Sequence, residues 1–316
     1  MTKFKRKAPQ SLRYLQALLP RISPKHQHYD DLQIESAIRQ KGFNGEKKLD
    51  YHLQMLGDDY KILSDITLSY KNATFQIDSL ILSRHAIFII DSKSIDGLIT
   101  FNTNLQQLTQ QHQGVEKGFK YPITQLESIK FLFMKWLEDR DLTGFPIFYF
   151  VSLSDTSSIL RVVGDENYIR KLVTYAEGIP HYIMRKNEQV ANTSPANKIL
   201  QEKIRATIWR EKQDLFINLA QKYKIERQQI APGVLCGKCY QLQTVFIHGY
   251  WSCKKCGHKC KEAYRRAFRD YFLLFGNGIS NKETRWFLGV NNRSTATRIL
   301  QRSKLRYNPK NKKWYQ

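Results

Sequence analysis

The sequence predicts an α/β core followed by a small cysteine-bearing β module and a basic helical module. Three observations lead there. Residues 60–101 hold short apolar runs of β type, with helical spacing before and after them. All five cysteines fall between Cys236 and Cys260. The formal net charge is +23, from 51 Lys+Arg against 28 Asp+Glu, and residues 231–316 hold 18 of the basic residues and 3 of the acids. The C-terminal part therefore carries +15, and residues 1–230 carry +8.

A surplus of this size points to a polyanionic partner, nucleic acid before an anionic membrane surface. The 316 residues suggest two domains or more, and 41% hydrophobic content is enough for a packed core. No apolar run approaches the ~20 residues of a bilayer span. The basic start (Lys3, Lys5, Arg6, Lys7) is not followed by the apolar stretch of a secretory signal. These features lead us to expect a cytoplasmic protein with no membrane attachment.

The elements follow in order. Residues 1–30, with Pro9, Pro20 and Pro24, read as a basic flexible arm with a short helix near Leu12–Leu19. Ile34 to Leu56 has helical spacing through Ile38, Leu49, Leu53 and Leu56, interrupted by Gly42 and Gly45. Lys61–Leu68, Thr74–Leu82 and Ala86–Lys93 read as strands, and Leu98–Phe101 as a fourth. The glutamine-rich stretch after it reads as a loop or edge segment. Pro122 opens an amphipathic helix with Leu126, Ile129, Phe133, Trp136 and Leu137 on one face. Pro146–Leu153 reads as a buried strand. The expected domains are the arm (1–30), an α/β core (31–155), a mainly helical extension (156–230), a cysteine module (231–260) and a basic helical module (261–316).

Strand side chains alternate, so Gln76 and Asp78 share one face of the second strand, and Ile87, Ile89, Asp91 and Lys93 share one face of the third. The apolar run Ile87–Ile90 belongs mid-sheet, which brings Asp91 and Lys93 out at the end of a buried strand. If the two strands pair around residues 83–85, Asp78 lies close to Asp91. Two carboxylates that close repel unless a cation sits between them. A hard divalent ion such as Mg²⁺ or Mn²⁺ takes oxygen ligands of this kind. Lys93 beside it can orient a water or stabilise charge on a phosphate. This is equipment for phosphodiester hydrolysis.

The order of these motifs resembles the NERD (nuclease-related domain) family of the PD-(D/E)xK nuclease superfamily, from about Asp31 to Leu153. The resemblance is carried by Gly45-Glu46, Gln76-Ile77-Asp78, Asp91-Ser92-Lys93 with Gly97, and Pro122 with Gln125. It implies a restriction-endonuclease-like core in which Asp78 and Asp91 bind the metal, Lys93 serves the nucleophilic water, and Glu46 and Gln125 complete the site. The family usually has Glu at the position of Asp91, commonly His at Ser79 and Asn at Tyr121. The function expected is a metal-dependent nuclease acting on DNA. The alternative is a catalytically inactive DNA-binding or regulatory protein built on the same fold.

Cys236-Gly-Lys-Cys239 and Cys253-Lys-Lys-Cys256 are two CxxC knuckles, the spacing of four-coordinate zinc. With hairpin strands at Gln241–Ile247 and Tyr250–Ser252, the segment resembles a zinc ribbon. A site closed by four cysteines is structural, because it leaves no open position. Cys260 and His258 are spare candidates.

Glu262–Phe275, a capped helix from Ser280 through Leu288, and a third from Asn291 or Asn292 to about Arg302 follow, with a hairpin at the end. Gly276-Asn277-Gly278 marks the first turn. This arrangement resembles a winged helix-turn-helix. Arg293, Ser294, Thr295, Thr297 and Arg298 would face the nucleic acid from the third helix, and Lys310, Lys312 and Lys313 from the hairpin.

Overall fold

The computed structural model describes residues 6–213, 218–276 and 278–316. Lys3 and Lys5 of the expected arm and Asn277 of the expected turn lie outside the described residues. The chain divides into two compact units, Met1–Pro9 with Arg39–Leu215 and Gln10–Ile38 with Phe216–Gln316. The first helices are α1 (Gln10–Leu18) and α2 (Tyr29–Leu53). The division falls within α2.

In the first unit the strands are β1 (Lys61–Tyr70), β2 (Ala73–Leu82), β3 (Ile87–Lys93), β4 (Leu98–Asn102), β5 (Gln107–His112) and β6 (Val115–Phe119). Helix α3 (Pro122–Glu138) and strands β7 (Ile147–Leu153) and β8 (Ile159–Val163) come next. Then come α4 (Glu166–Leu172), β9 (Val173–Tyr175), α5 (Ile179–Ala191) and α6 (Lys198–Glu211). One sheet has the order β1-β2-β3-β7-β9, and a second has β6-β5-β4-β8. Pairing is antiparallel through β1, β2 and β3 and parallel from β3 to β7 to β9. Strand β3 is therefore central, as its apolar run requires.

The two faces of β3 belong to different cores. Ile87 and Ile89 pack with Leu126, Phe133 and Trp136 of α3. Phe88 and Ile90 pack with Leu49 and Leu53 of α2 and with Ile179 and Ile183 of α5. Each such side chain contributes about 1.5–3 kcal/mol when fully buried. Helix α2 runs through Gly42 and Gly45, although each glycine costs about 1 kcal/mol against alanine. The buried stripe Leu49, Leu53 and Leu56 offsets that cost. Ile34 and Ile38, expected on the apolar face, are exposed.

In the second unit the elements are α7 (Leu219–Lys222), β10 (Thr244–Ile247), β11 (Tyr250–Cys253), β12 (Lys259–Cys260), α8 (Ala263–Phe275), α9 (Asn281–Leu288), α10 (Arg293–Arg302), β13 (Arg306–Asn308) and β14 (Lys313–Tyr315). Strands β10, β11 and β12 form one small antiparallel sheet, and β13 with β14 a hairpin. Ser280 and Glu283 make a reciprocal capping box on α9, and Asn292 caps α10.

Three of the expected boundaries are corrected. The described part of the arm, residues 6–30, is not loose. Leu12, Leu15 and Leu18 on one side of α1 are fully buried, and Leu15 and Leu18 share a cluster with Leu32, Leu219 and Ile230. The extension at 156–230 does not begin a separate body. Strand β8 joins the second sheet beside β4, and β9 joins the first beside β7. The cysteine module and the helical module share one core, in which Val234 and Trp251 pack with Phe268, Tyr271, Phe287 and Leu300. Three short strands alone enclose too little volume to bury Trp251.

Candidate active site and metal centre

Strand β3 is buried from Ile87 to Asp91 and opens at Ser92 and Lys93. The Lys93 ammonium lies 2.8 Å from Asp91 Oδ2, 3.1 Å from Oδ1 and 3.4 Å from Gln125 Oε1. Gln125 stands one turn into α3, whose start is set by Pro122 at its first position. So α3 and β3 bring Asp91, Lys93 and Gln125 to one place.

Asp78 arrives from β2 at a break in two ladders. Pairing of β1 with β2 runs Ser64↔Ser79, then Ile66↔Ile77, and skips the pair at 65 and 78. Asp65 there has φ +51°, a left-handed conformation that turns its peptide out of the ladder. Pairing of β2 with β3 ends at Ser79↔Ile90, one step short of Asp78 and Asp91. The Ser92 amide instead donates to Asp78 Oδ2 at 3.3 Å, which ties the two acidic strand ends together.

Glu46 comes from α2, and Gly45 beside it explains how close the helix comes. A Cβ at Gly45 would stand 2.5 Å from Ser154 Oγ and 2.8 Å from Ser94 Cβ. Gly97, after the acid-x-lysine strand, has φ +79°, and a Cβ there would stand 2.5 Å from the Gln111 carbonyl oxygen. Both glycines of the sequence pattern are therefore demanded by space or backbone.

The site also contains three groups that the sequence reading missed. Arg6, 5% exposed, is paired with Glu46, Asp50 and Asp65. It also donates to Ser79 Oγ at 2.7 Å. Asp50 follows Glu46 by one helical turn, and that i,i+4 pair of acids was the one available signal. Nothing local announces Arg6 or Asp65.

Burial is the main cause of the charge state here. It raises the Asp78 carboxyl well above the ordinary value, and the neighbouring Asp91 and Glu46 raise it further. Burial likewise pushes Glu46 up to about 7, with Arg6 pulling the other way. Burial also raises Asp65. The buried Asp91 Oδ2 accepts no hydrogen bond of good geometry, although the Lys93 ammonium is near. Asp78 and Glu46, kept from ionising by burial beside Asp91, are oxygen donors of the kind a hard divalent cation takes.

The second centre is the cysteine group. The Sγ atoms of Cys236, Cys239, Cys253 and Cys256 all lie within 4.8 Å of one another. Cys236 to Cys256 and Cys239 to Cys253 are each 3.6 Å. Tetrahedral zinc at ~2.3 Å from each sulfur requires about 3.8 Å between sulfurs. The cluster could therefore hold a metal such as zinc. Cys260 stands outside it, on β12 opposite Trp251.

On α10, Arg293, Ser294 and Arg298 are exposed, and Thr295 and Thr297 are half-buried. Thr297 is already engaged, accepting from Asn281 at 2.9 Å and donating to the Arg293 carbonyl at 3.0 Å. Ser294 donates to the capping Asn292 at 2.6 Å. Lys310 and Lys312 are exposed in the turn between β13 and β14, and Lys313 is half-buried. No described helix is long and apolar enough to cross a membrane.

Comparison with curated proteins and with solved structures gave no match. Residues 41–154, the span that holds Glu46, Asp78, Asp91, Lys93 and Gln125, match the family model of the nuclease-related domain. A nuclease-related domain implies a nucleic-acid partner, and over that span, about a third of its length, the chain is similar to the NERD family.

Proposed function

We propose that the protein is a metal-dependent nuclease that hydrolyses phosphodiester bonds in DNA, with a basic C-terminal unit that docks it. The observation that carries this reading is the meeting of Asp78, Asp91, Lys93 and Gln125 at the ends of two strands and a helix, inside the family match. The core is read as the PD-(D/E)xK fold, with Asp91-Ser92-Lys93 as its acid-x-lysine strand.

Asp78 and Asp91 would hold Mg²⁺ or Mn²⁺, with Glu46 and Gln125 completing the site. The ion, when bound, would polarise the phosphoryl oxygen and favour ionisation of the attacking water. Lys93 sets its ammonium beside Asp91, where it can orient that water and balance charge developing on the phosphoryl group. Water supplies the new P–O bond, the opposite P–O bond breaks, and the proton ends on the leaving oxygen. Asp78 and Glu46 both resist ionisation without the ion, so binding it is coupled to release of their protons.

The second unit would dock rather than cut. Its four cysteines would hold structural zinc, and α8 to α10 with the hairpin β13–β14 are read as a winged helix-turn-helix. Arg293, Ser294 and Arg298 would meet the duplex, with Lys310, Lys312 and Lys313 on the flanking backbone. The test is cleavage of plasmid DNA with Mg²⁺ by the purified protein. Cleavage by the wild type that Lys93→Ala loses supports the reading, and equal cleavage by Lys93→Ala contradicts the site assignment.

A further inference from the structure

We infer that Arg6 is a positioning residue of the acidic site, holding the helix acid Glu46 against the Asp78 strand end for the divalent ion. The inference rests on the metal-dependent reading above and adds a residue that lies well before the family match.

An arginine removed from water costs several kcal/mol unless its donors are all used. The Arg6 side chain is fully buried. Its Nε and Nη2 fork the Asp50 carboxylate at 2.9 and 3.0 Å. Nη2 also reaches Ser79 Oγ at 2.7 Å. Nη1 is shared by the Asp78 carbonyl at 2.8 Å, Glu46 Oε2 at 3.1 Å and Asp65 Oδ1 at 3.3 Å.

The fork on Asp50 would suffice for a stabilising pair. Nη1 does something else. It bonds the Asp78 carbonyl at the residue where the ladder to β1 is interrupted. With the same nitrogen it fixes the helix acid Glu46, which lies in electrostatic range of both Asp78 and Asp91. One guanidinium thus links α2 to β2 at the point where sheet pairing no longer does. Its planar fork suits this task in a way that a lysine ammonium does not.

The test is a double-mutant cycle of Arg6→Met and Glu46→Gln in the full-length, zinc-loaded protein. Mn²⁺ affinity is read from the free-ion electron paramagnetic resonance signal, and cleavage is read separately with Mg²⁺. Each single change is expected to weaken Mn²⁺ about tenfold, the scale of losing an outer support of a metal ligand. The double variant is expected to lose no more than about tenfold, because Arg6 acts through Glu46. Arg6→Lys is expected to stay weak. Arg6→Met/Asp50→Asn removes the fork together with its partner, which relieves the uncompensated buried acid, and it too is expected to stay about tenfold weak.

Additive losses of about a hundredfold in the double variant would overturn the proposal. So would wild-type Mn²⁺ affinity in Arg6→Met/Asp50→Asn, which would mark Arg6 as a folding residue only. Wild-type protein that binds Mn²⁺ but cuts no DNA would contradict the nuclease reading, and the Mn²⁺ cycle would still decide the role of Arg6. Wild-type protein that binds no Mn²⁺ at the acidic site overturns both.

Discussion

The two units use charge in opposite ways. In the first, the charges that matter are withdrawn from water: Arg6 and Asp91 are buried, and burial pushes Glu46 up to about 7. In the second, the +15 of residues 231–316 includes Arg293, Arg298, Lys310 and Lys312, all exposed around an apolar core. Withdrawn charges are expensive and precisely held, and they suit chemistry at a bond. Exposed charges are cheap and screened by salt, and they suit contact with a phosphate backbone. The same net charge thus describes two devices.

The comparison breaks most easily at zinc. Cys253→Ser removes one of the four sulfurs, and a structural zinc site contributes about 10–16 kcal/mol to folding in small zinc modules. We expect the second unit to lose its near-ultraviolet circular dichroism and its DNA affinity together, while the first unit keeps its own melting transition. Retained DNA affinity would show that docking does not depend on the cysteine centre.

A smaller effect is expected inside the acidic unit. Gly45→Ala forces a methyl group against Ser154 and Ser94, and overpacking of this kind costs about 1–3 kcal/mol. Chemical denaturation should show that loss, and cleavage should fall with it because Glu46 is the next residue. An unchanged denaturation midpoint would mean that α2 does not approach the strand ends as closely as described.

Arg298→Ala should act on docking alone. Removing a single phosphate-binding cation should lower the slope of log affinity against log salt by about one and weaken binding several-fold at moderate salt. Turnover at saturating DNA should not change. A fall in turnover with unchanged affinity would erase the division of labour.

A further effect is a pH dependence of stability. Glu46 is raised to about 7 in the folded protein from an ordinary value near 4.5. The folded state therefore holds an extra proton between those two values, and stability falls as pH rises through that window. The denaturation midpoint should be lower at pH 8 than at pH 5, and Glu46→Gln should flatten that difference. A midpoint that rises with pH by the same amount in both proteins would contradict the buried state of Glu46.

Much of the strand framework was legible because period-two patterns and turn residues are local. Strands β1 to β4 and β7 lie within two residues of the expected ranges at each end. Strand β9 is three residues long and exists because β7 offers it a parallel partner, so no periodicity could show it. A helix near Leu12–Leu19 was expected but its packing was not, because its neighbours are basic and its partners lie far away in sequence. The acid-x-lysine strand and the cysteine knuckles were visible because their spacing is the chemistry. Arg6 was not, since it meets its partners across 40 to 73 residues.

The central claim is that one unit cuts and the other holds. The most direct measurement is DNA binding and Mg²⁺-dependent cleavage by Lys93→Ala in the same sample. The account predicts wild-type affinity with cleavage lowered at least about a hundredfold. Cleavage at the wild-type rate, or loss of binding in step with loss of cleavage, would contradict it.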